Sequence, residues 1–272
     1  MSDPDRPGPR RLALSAPTVL TVLAVLGLGL FILPLVALIG RAPLTRIPEL
    51  LTLPQVTAAV RLSLVTSFSA LLISVVLGVP LAWLFARRRI PGLALLRAIA
   101  VLPMVLPPVV GGVALLLAFG RRGLLGGPLA QLTGIRLPFT TAGAIMAATF
   151  VSMPFLVVTV EAGLRQADQR LEAAAATLGA SRWTIYRRIT LPQIAPSLAA
   201  GMALSWARAL GEFGATITFA GNFPGRTQTM PLGVFLLLET DPDAAYVLSL
   251  ALLVISVSVL VALRGRYLGV GE

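Results

Sequence analysis

The six longest stretches of the chain without Asp, Glu, Lys or Arg are 12–40, 62–86, 98–120, 137–160, 189–207 and 244–263. They are 29, 25, 23, 24, 19 and 20 residues long and make up about half of the chain. A helix crossing a bilayer needs roughly 20 apolar residues, at about 1.5 Å per residue over ~30 Å of hydrocarbon. Inside lipid the backbone must satisfy its own hydrogen bonds, and the runs are continuously apolar rather than alternating, which excludes a β-barrel. The pattern therefore predicts an all-α membrane protein with six transmembrane helices. The fifth run stops at Arg208, but apolar character resumes from Phe213 to Ala220, which predicts one helix over about 193–220 carrying Arg208 and Glu212. Met230 to Leu238 is too short to span and is expected to be interfacial or re-entrant. At the N-terminus, Arg10 and Arg11 precede an apolar stretch longer than a signal-peptide core. The expectation is a tail over 1–11, Pro- and Asp-rich and disordered, then an uncleaved first transmembrane helix over 12–40.

Composition agrees with that pattern. The chain is 57% hydrophobic and 12% charged, against about 25% charged in soluble domains. It has no Cys and no His, which excludes disulfides, thiolate or imidazole metal sites, a Cys nucleophile and His-based acid–base chemistry. The 22 basic residues are all Arg and give a net charge of +11. With six spans, the segments on the side of the termini hold fourteen Arg and the opposite segments seven. The bias places both termini in the cytoplasm. Membrane-flanking Arg account for the charge, and no basic patch interleaved with aromatics calls for nucleic acid. Without Lys there is no phosphate-binding loop, so any ATP must be bound by a partner. A membrane enzyme would need a nucleophile–base pair, which Ser205 near Arg208 and Glu212 does not make. An ion-coupled transporter would want more intramembrane acids and an internal repeat, and no repeat is visible.

Two local features stand out. Pro103, Pro107 and Pro108, followed by Gly111 and Gly112, make the third span a poor rigid rod, because each proline removes a donor and kinks a helix. Between the fourth and fifth spans, the long cytoplasmic segment 162–192 reads as two short helices around a break. An Ala-rich run from Leu171 to Thr177 favours helix. Gly179 suits the left-handed end of that helix, and Ser181 is placed to cap the next. The second piece sets Trp183, Ile185, Tyr186 and Ile189 beside Arg182, Arg187 and Arg188, so its apolar side needs a partner. Pro192 suits the first turn of the following span. The partner is either a soluble protein or the inner leaflet.

The spacing in this segment resembles the cytoplasmic signature of permease subunits of ATP-binding-cassette (ABC) importers: E-A-A, three residues, G, nine residues, I-x-L-P. Gly179, nine intervening residues, then Ile189, Leu191 and Pro192 match its second half. In the first half, counting back from Gly179 puts Ala173 at the acidic position, followed by Ala174 and Ala175, with Glu172 one residue early. The resemblance implies a type I ABC importer transmembrane fold over about 56–264, a cytoplasmic coupling-helix loop, and a short cytoplasmic tail over 265–272. It also implies that Glu172, Ala173, Ala174, Ala175, Gly179, Ala180, Ile189, Leu191 and Pro192 form the ATPase-coupling segment. The implied setting is the prokaryotic inner or plasma membrane. The implied assembly is a homodimer of permease subunits with separate ABC ATPase subunits and an extracytoplasmic oxyanion-binding protein. The chain itself would be non-catalytic and without a cofactor.

The stretch from Trp206 to Asn222, with Thr227-Gln228-Thr229-Met230-Pro231-Leu232 and Leu106-Pro107-Pro108-Val109-Val110-Gly111-Gly112, is similar to the oxyanion branch of the family, molybdate permeases in particular. Tungstate is an indistinguishable congener, and sulfate permeases share the Arg208–Glu212 region. Arg208 and Glu212 lie one turn apart and face each other. They serve either the anion pathway or helix packing, and mutual neutralisation favours packing. Thr216 and Thr218 offer hydroxyls to an anion or to their own backbone.

Overall fold

The computed structural model describes residues 18–88 and 90–267. The expected tail 1–11, residues 12–17 of the expected first helix, Arg89 and residues 268–272 lie outside the described residues. Among the described residues all regular structure is helical. The chain divides into two compact units, Met1–Ala42 and Pro43–Glu272.

Among the described residues the first unit holds one helix, α1 (Thr18–Arg41), apolar on every side and continuous through Pro34. The second opens with a 3-10 turn (Leu44–Arg46) and the short α2 (Ile47–Leu51), and leads into α3 (Pro54–Arg87). Arg46 pairs with Glu49 at 3.3 Å and with Asp243 at 2.8 Å. Its pKa is raised by the hydrogen bond to Glu49 and then by the surrounding carboxylates. The 34 residues of α3 contain no breaker except Pro80. The chain then forms α4 (Leu93–Val101), a 3-10 turn (Leu102–Met104), α5 (Pro108–Phe119), α6 (Gly126–Thr133) and α7 (Thr141–Gln166). Past the connecting loop come α8 (Gln169–Thr177), α9 (Arg182–Ile185), a π turn (Tyr186–Thr190) and α10 (Leu191–Leu210). The last elements are α11 (Gly214–Phe219), α12 (Met230–Thr240) and α13 (Pro242–Tyr267).

The core is built on α7, packed between α3 and α10. One face of α3, with Ser63, Ser67, Ala70, Ser74, Gly78, Ala82 and Phe85 at helical spacing, is buried. Ala70, Ala148 and Ala209 meet in one cluster, and a side chain at Gly78 would meet Leu156 and Val157 at 3.2 Å. α3 and α7 therefore run in the same sense. α10 runs the opposite way: an added Cβ at Gly201 would lie 3.3 Å from Leu156, and one at Gly163 only 2.5 Å from Ser197. Small residues let the backbones approach, which is how helices associate where lipid removes the hydrophobic drive. Gly163→Val is expected to destabilise the protein by about 1–3 kcal/mol through overpacking of α7 on α10. Gly211→Ala, whose Cβ meets only Ala207 O at 3.6 Å, is expected to be near neutral. Thermal unfolding of both variants in detergent checks the contrast.

Among the described residues four helices are long and apolar enough to cross a membrane: α1, α3, α7 and α13. The α4–α5 pair counts as a fifth only if its two halves are one span, since the axis turns by 117° at the break. The expectation of six such helices is thus not reproduced among the described residues, because α10 is not apolar enough to count with them. The proline-rich third run is broken as its composition predicts. Val105 and Leu106 both donate to Leu102 O, and Pro107 and Pro108 open α5.

The expected continuous helix over 193–220 is corrected. It stops at Leu210 and restarts at Gly214. The interruption fits α11 against α5: a Cβ at Gly112 would lie 2.6 Å from Thr218 Cβ, and one at Gly214 2.8 Å from Pro108 Cβ. The short apolar run after Met230 is helix α12. Its first amide donates to Ser63 Oγ at 2.6 Å.

Candidate functional site

The segment between α7 and α10 is a small helical knuckle. Asp168 caps α8 by accepting from Arg170 N at 2.9 Å, and its own amide donates to Gln193 Oε1 at 2.8 Å. The Ala-rich α8 ends at Gly179, whose φ is +81°. There Gly179 N donates to Ala176 O and Ala180 N to Ala175 O, the paired bonds of a Schellman ending. Ser181 Oγ accepts from Thr184 N at 3.2 Å and caps α9. Both predicted signals, the glycine stop and the serine start, sit where the spacing put them.

The second helix differs from expectation. It does not end before the next span but runs through a π turn directly into α10. Leu191 N donates to Tyr186 O, five residues back. The widened turn immediately precedes Pro192, which has no amide to donate; such bulges accommodate a broken ladder.

The knuckle exposes an apolar stripe beside Arg182, Arg187 and Arg188. Leu171, Ala174 and Leu178 share one face of α8, and Leu178 is 87% exposed. Ala173 is also exposed, while Ala175 and Ala180 are half-buried. Trp183, 69% exposed, stacks on Tyr186 with ring centroids 5.7 Å apart. Ile189 and Leu191 are half-buried, and Leu191 packs on the core around Phe85, Val160 and Leu164. Behind α9 an open groove of about 750 Å³ runs to Val79, Pro80 and Trp83 of α3.

Glu172 faces inward. Its Oε1 accepts from Arg87 Nη2 and from Thr190 Oγ1, both at 2.8 Å. A second ionic node lies at the same end of the bundle. Glu161, only 6% exposed, is paired with Arg97 and accepts from Arg165 Nε at 2.9 Å. Arg165 Nη2 also donates to Phe85 O at 3.3 Å. Sequence reasoning missed Arg87, Glu161, Arg97 and Thr190. The Glu161–Arg165 spacing of four was a readable signal; the other partners come from distant segments.

Arg208 and Glu212 pair at 2.6 Å, and the Glu212 side chain is 1% exposed. Glu212 Oε1 also accepts from Ala215 N at 2.7 Å. The carboxylate thus sits at the α10–α11 break, holding one helix end by charge and the other by a free amide. Thr218 Oγ1 donates to Gly214 O at 2.8 Å, so that hydroxyl serves its own backbone. Thr216 is buried. Among the described residues, no three His, Cys, Asp or Glu side chains gather as a metal site. Among the described residues the site is made of apolar and electrostatic contacts.

Residues 74–268 match the family described as binding-protein-dependent transport system inner membrane component. The chain is 45% identical over 243 residues to the molybdenum transport system permease protein ModB of Mycobacterium tuberculosis, covering 89% of this chain and 92% of that protein. It is 39% identical over 217 residues to the sulfate transport system permease protein CysT of Escherichia coli, covering 79% and 78%. Among solved structures, a chain of a bacterial ABC transporter involved in the import of the acidic polysaccharide alginate superposes with a TM-score of 0.75, covering 94% of this chain and 96% of that one. At 17% identity that likeness concerns the fold.

Proposed function

Because the chain belongs to the family of binding-protein-dependent transport system inner membrane components, we propose that it is the membrane permease of an ATP-driven molybdate importer. The observation that carries the substrate is the 45% identity to a molybdenum permease over nearly the full length of both chains. Tungstate shares the shape and charge of molybdate and is expected to follow the same route. Sulfate is the second reading, favoured by the 39% identity to a sulfate permease and by the common Arg208–Glu212 region.

Two copies of the chain form the pathway, and each presents its knuckle to one ATPase subunit. A separate extracytoplasmic protein captures the oxyanion. The end of the bundle carrying Arg87, Arg165 and the knuckle is cytoplasmic, with both termini, in line with the bias of Arg to that side. ATP chemistry belongs to the partner, and the chain supplies the path and the lever. What supports the lever is the exposed apolar face of α8: Leu171, Ala174 and Leu178 form a stripe of the kind that a docked protein covers. A pathway for a doubly charged anion must not hold it tightly. The mutual neutralisation of Arg208 and Glu212 suits that demand and supports a packing role for the pair.

The test is uptake by membrane vesicles holding the permease, its ATPase and its binding protein. Molybdate is expected to drive ATP-dependent uptake and ATP turnover, with sulfate giving little of either. Sulfate-driven turnover without a molybdate response overturns the substrate, and uptake by the permease alone overturns the importer.

A further inference from the structure

We propose that Glu172 is an internal clamp: a positioning residue that ties the knuckle to the end of α3 and to the turn that leads into α10, and passes its movement to both helices, instead of contacting the ATPase. The inference rests on the docking role given to the loop above and says how a docked loop would pull on the bundle.

Two separated segments converge on one carboxylate oxygen carried by a third. Arg87 is the last residue of α3, and Thr190 is the last residue of the π turn that opens into α10. Both reach Glu172 Oε1 at 2.8 Å. The contact is partly shielded, with the Arg87 side chain 11% and the Glu172 side chain 24% exposed, and Thr190 is buried. A charge-assisted bond in such a place is stronger and less screened than a surface pair.

The direction of the side chain is as informative as its partners. At about 3.6 residues per turn, Glu172 lies roughly a third of a turn away from the stripe of Leu171, Ala174 and Leu178. The apolar stripe is free for a partner while the acid is committed inward. The one-residue offset of Glu172 from the position of the motif acid has this physical consequence.

The last turn of α3 is gripped a second time. Arg165 of α7 donates to Phe85 O and is itself held by Glu161, which also pairs with Arg97 of α4. A displacement of α8 acting through Glu172 therefore meets a turn already fastened to α7 and α4. It acts at the same time on the start of α10. Apart from its covalent ends and the Arg87 contact, the knuckle has one other polar tie to the bundle among the described residues, Asp168 N to Gln193 Oε1 of α10.

The experiment uses the full complex of permease, ATPase and binding protein in proteoliposomes. It reads ATPase co-purification and ATP hydrolysed per molybdate imported. Glu172→Ala is expected to retain the ATPase at the wild-type level while the ratio rises about fivefold or more, the low end of coupling between linked sites. Thr190→Val, which leaves the charges balanced, shifts the ratio in the same direction. The exchange Arg87→Glu with Glu172→Arg restores it towards wild type, which general damage to the fold would not allow. An unchanged ratio in Glu172→Ala and Thr190→Val overturns the clamp, as does loss of the ATPase from Glu172→Ala with Thr190→Val unaffected, which would place Glu172 at the docking surface. A wild-type permease that retains no ATPase overturns the docking role itself, and the clamp with it.

Discussion

Arg208→Leu is expected to destabilise the protein by about 3 kcal/mol, the low end of the range for breaking a buried ion pair by removing one partner. The low end applies because the Arg208 side chain is 26% exposed while that of Glu212 is 1% exposed. The loss comes from stranding a carboxylate that water does not reach. Its other contact, Ala215 N at 2.7 Å, stabilises the charge but does not neutralise it. Glu212→Gln should cost much less, since an amide oxygen still accepts from Ala215 and a partly exposed guanidinium remains solvated. Adding Glu212→Gln to Arg208→Leu should therefore recover most of the stability, and molybdate uptake should recover with it. Thermal unfolding in detergent and uptake KM in proteoliposomes give the two readouts. If the double variant regains stability but keeps a raised KM, Arg208 meets the anion and the packing role is wrong.

What could be read from the residues alone follows the range of the forces involved. Apolar runs without charge yield α1, α3, α7 and α13, because lipid demands self-satisfied backbone over a set length. Pro103, Pro107 and Pro108 announce the break in the third run, as a missing amide is a local fact. Its 117° turn depends on what α5 packs against and is not local. The break at Gly211 to Phe213 was hidden for the same reason. Its flanks are apolar, and Arg208 and Glu212 at a spacing of four look like an ordinary helical pair. Only the fit of Gly214 against Pro108 and of Gly112 against Thr218 shows why the chain departs from helix there. In the knuckle, Gly179 and Ser181 were legible because caps are written within four residues. The partners of Glu172 were not: Arg87 lies 85 residues away, and one carboxylate on a short helix does not reveal which of 22 arginines it will meet.

Gly179→Pro is expected to leave the bundle inserted and folded but to abolish ATPase association and, with it, transport. The residue has φ +81°, and proline is held near about −65°. The substitution also removes the amide that donates to Ala176 O. The chain then cannot turn back after α8 and bring Ser181 to the start of α9. A Cβ at Gly179 would meet nothing within 4 Å, so alanine or asparagine there adds no crowding. That separates the backbone effect from contact effects. Gly179→Ala, which bears only the left-handed penalty of about 1–2 kcal/mol, should keep most of the association, and Gly179→Asn more still. The bundle is expected to survive in every case, because α10 packs closely on α7 at Gly163 and Ser197, away from the turn. Pull-down with a tagged ATPase, alongside a measure of membrane insertion, orders the three variants. Normal co-purification of Gly179→Pro would mean that the knuckle is not what the ATPase grips.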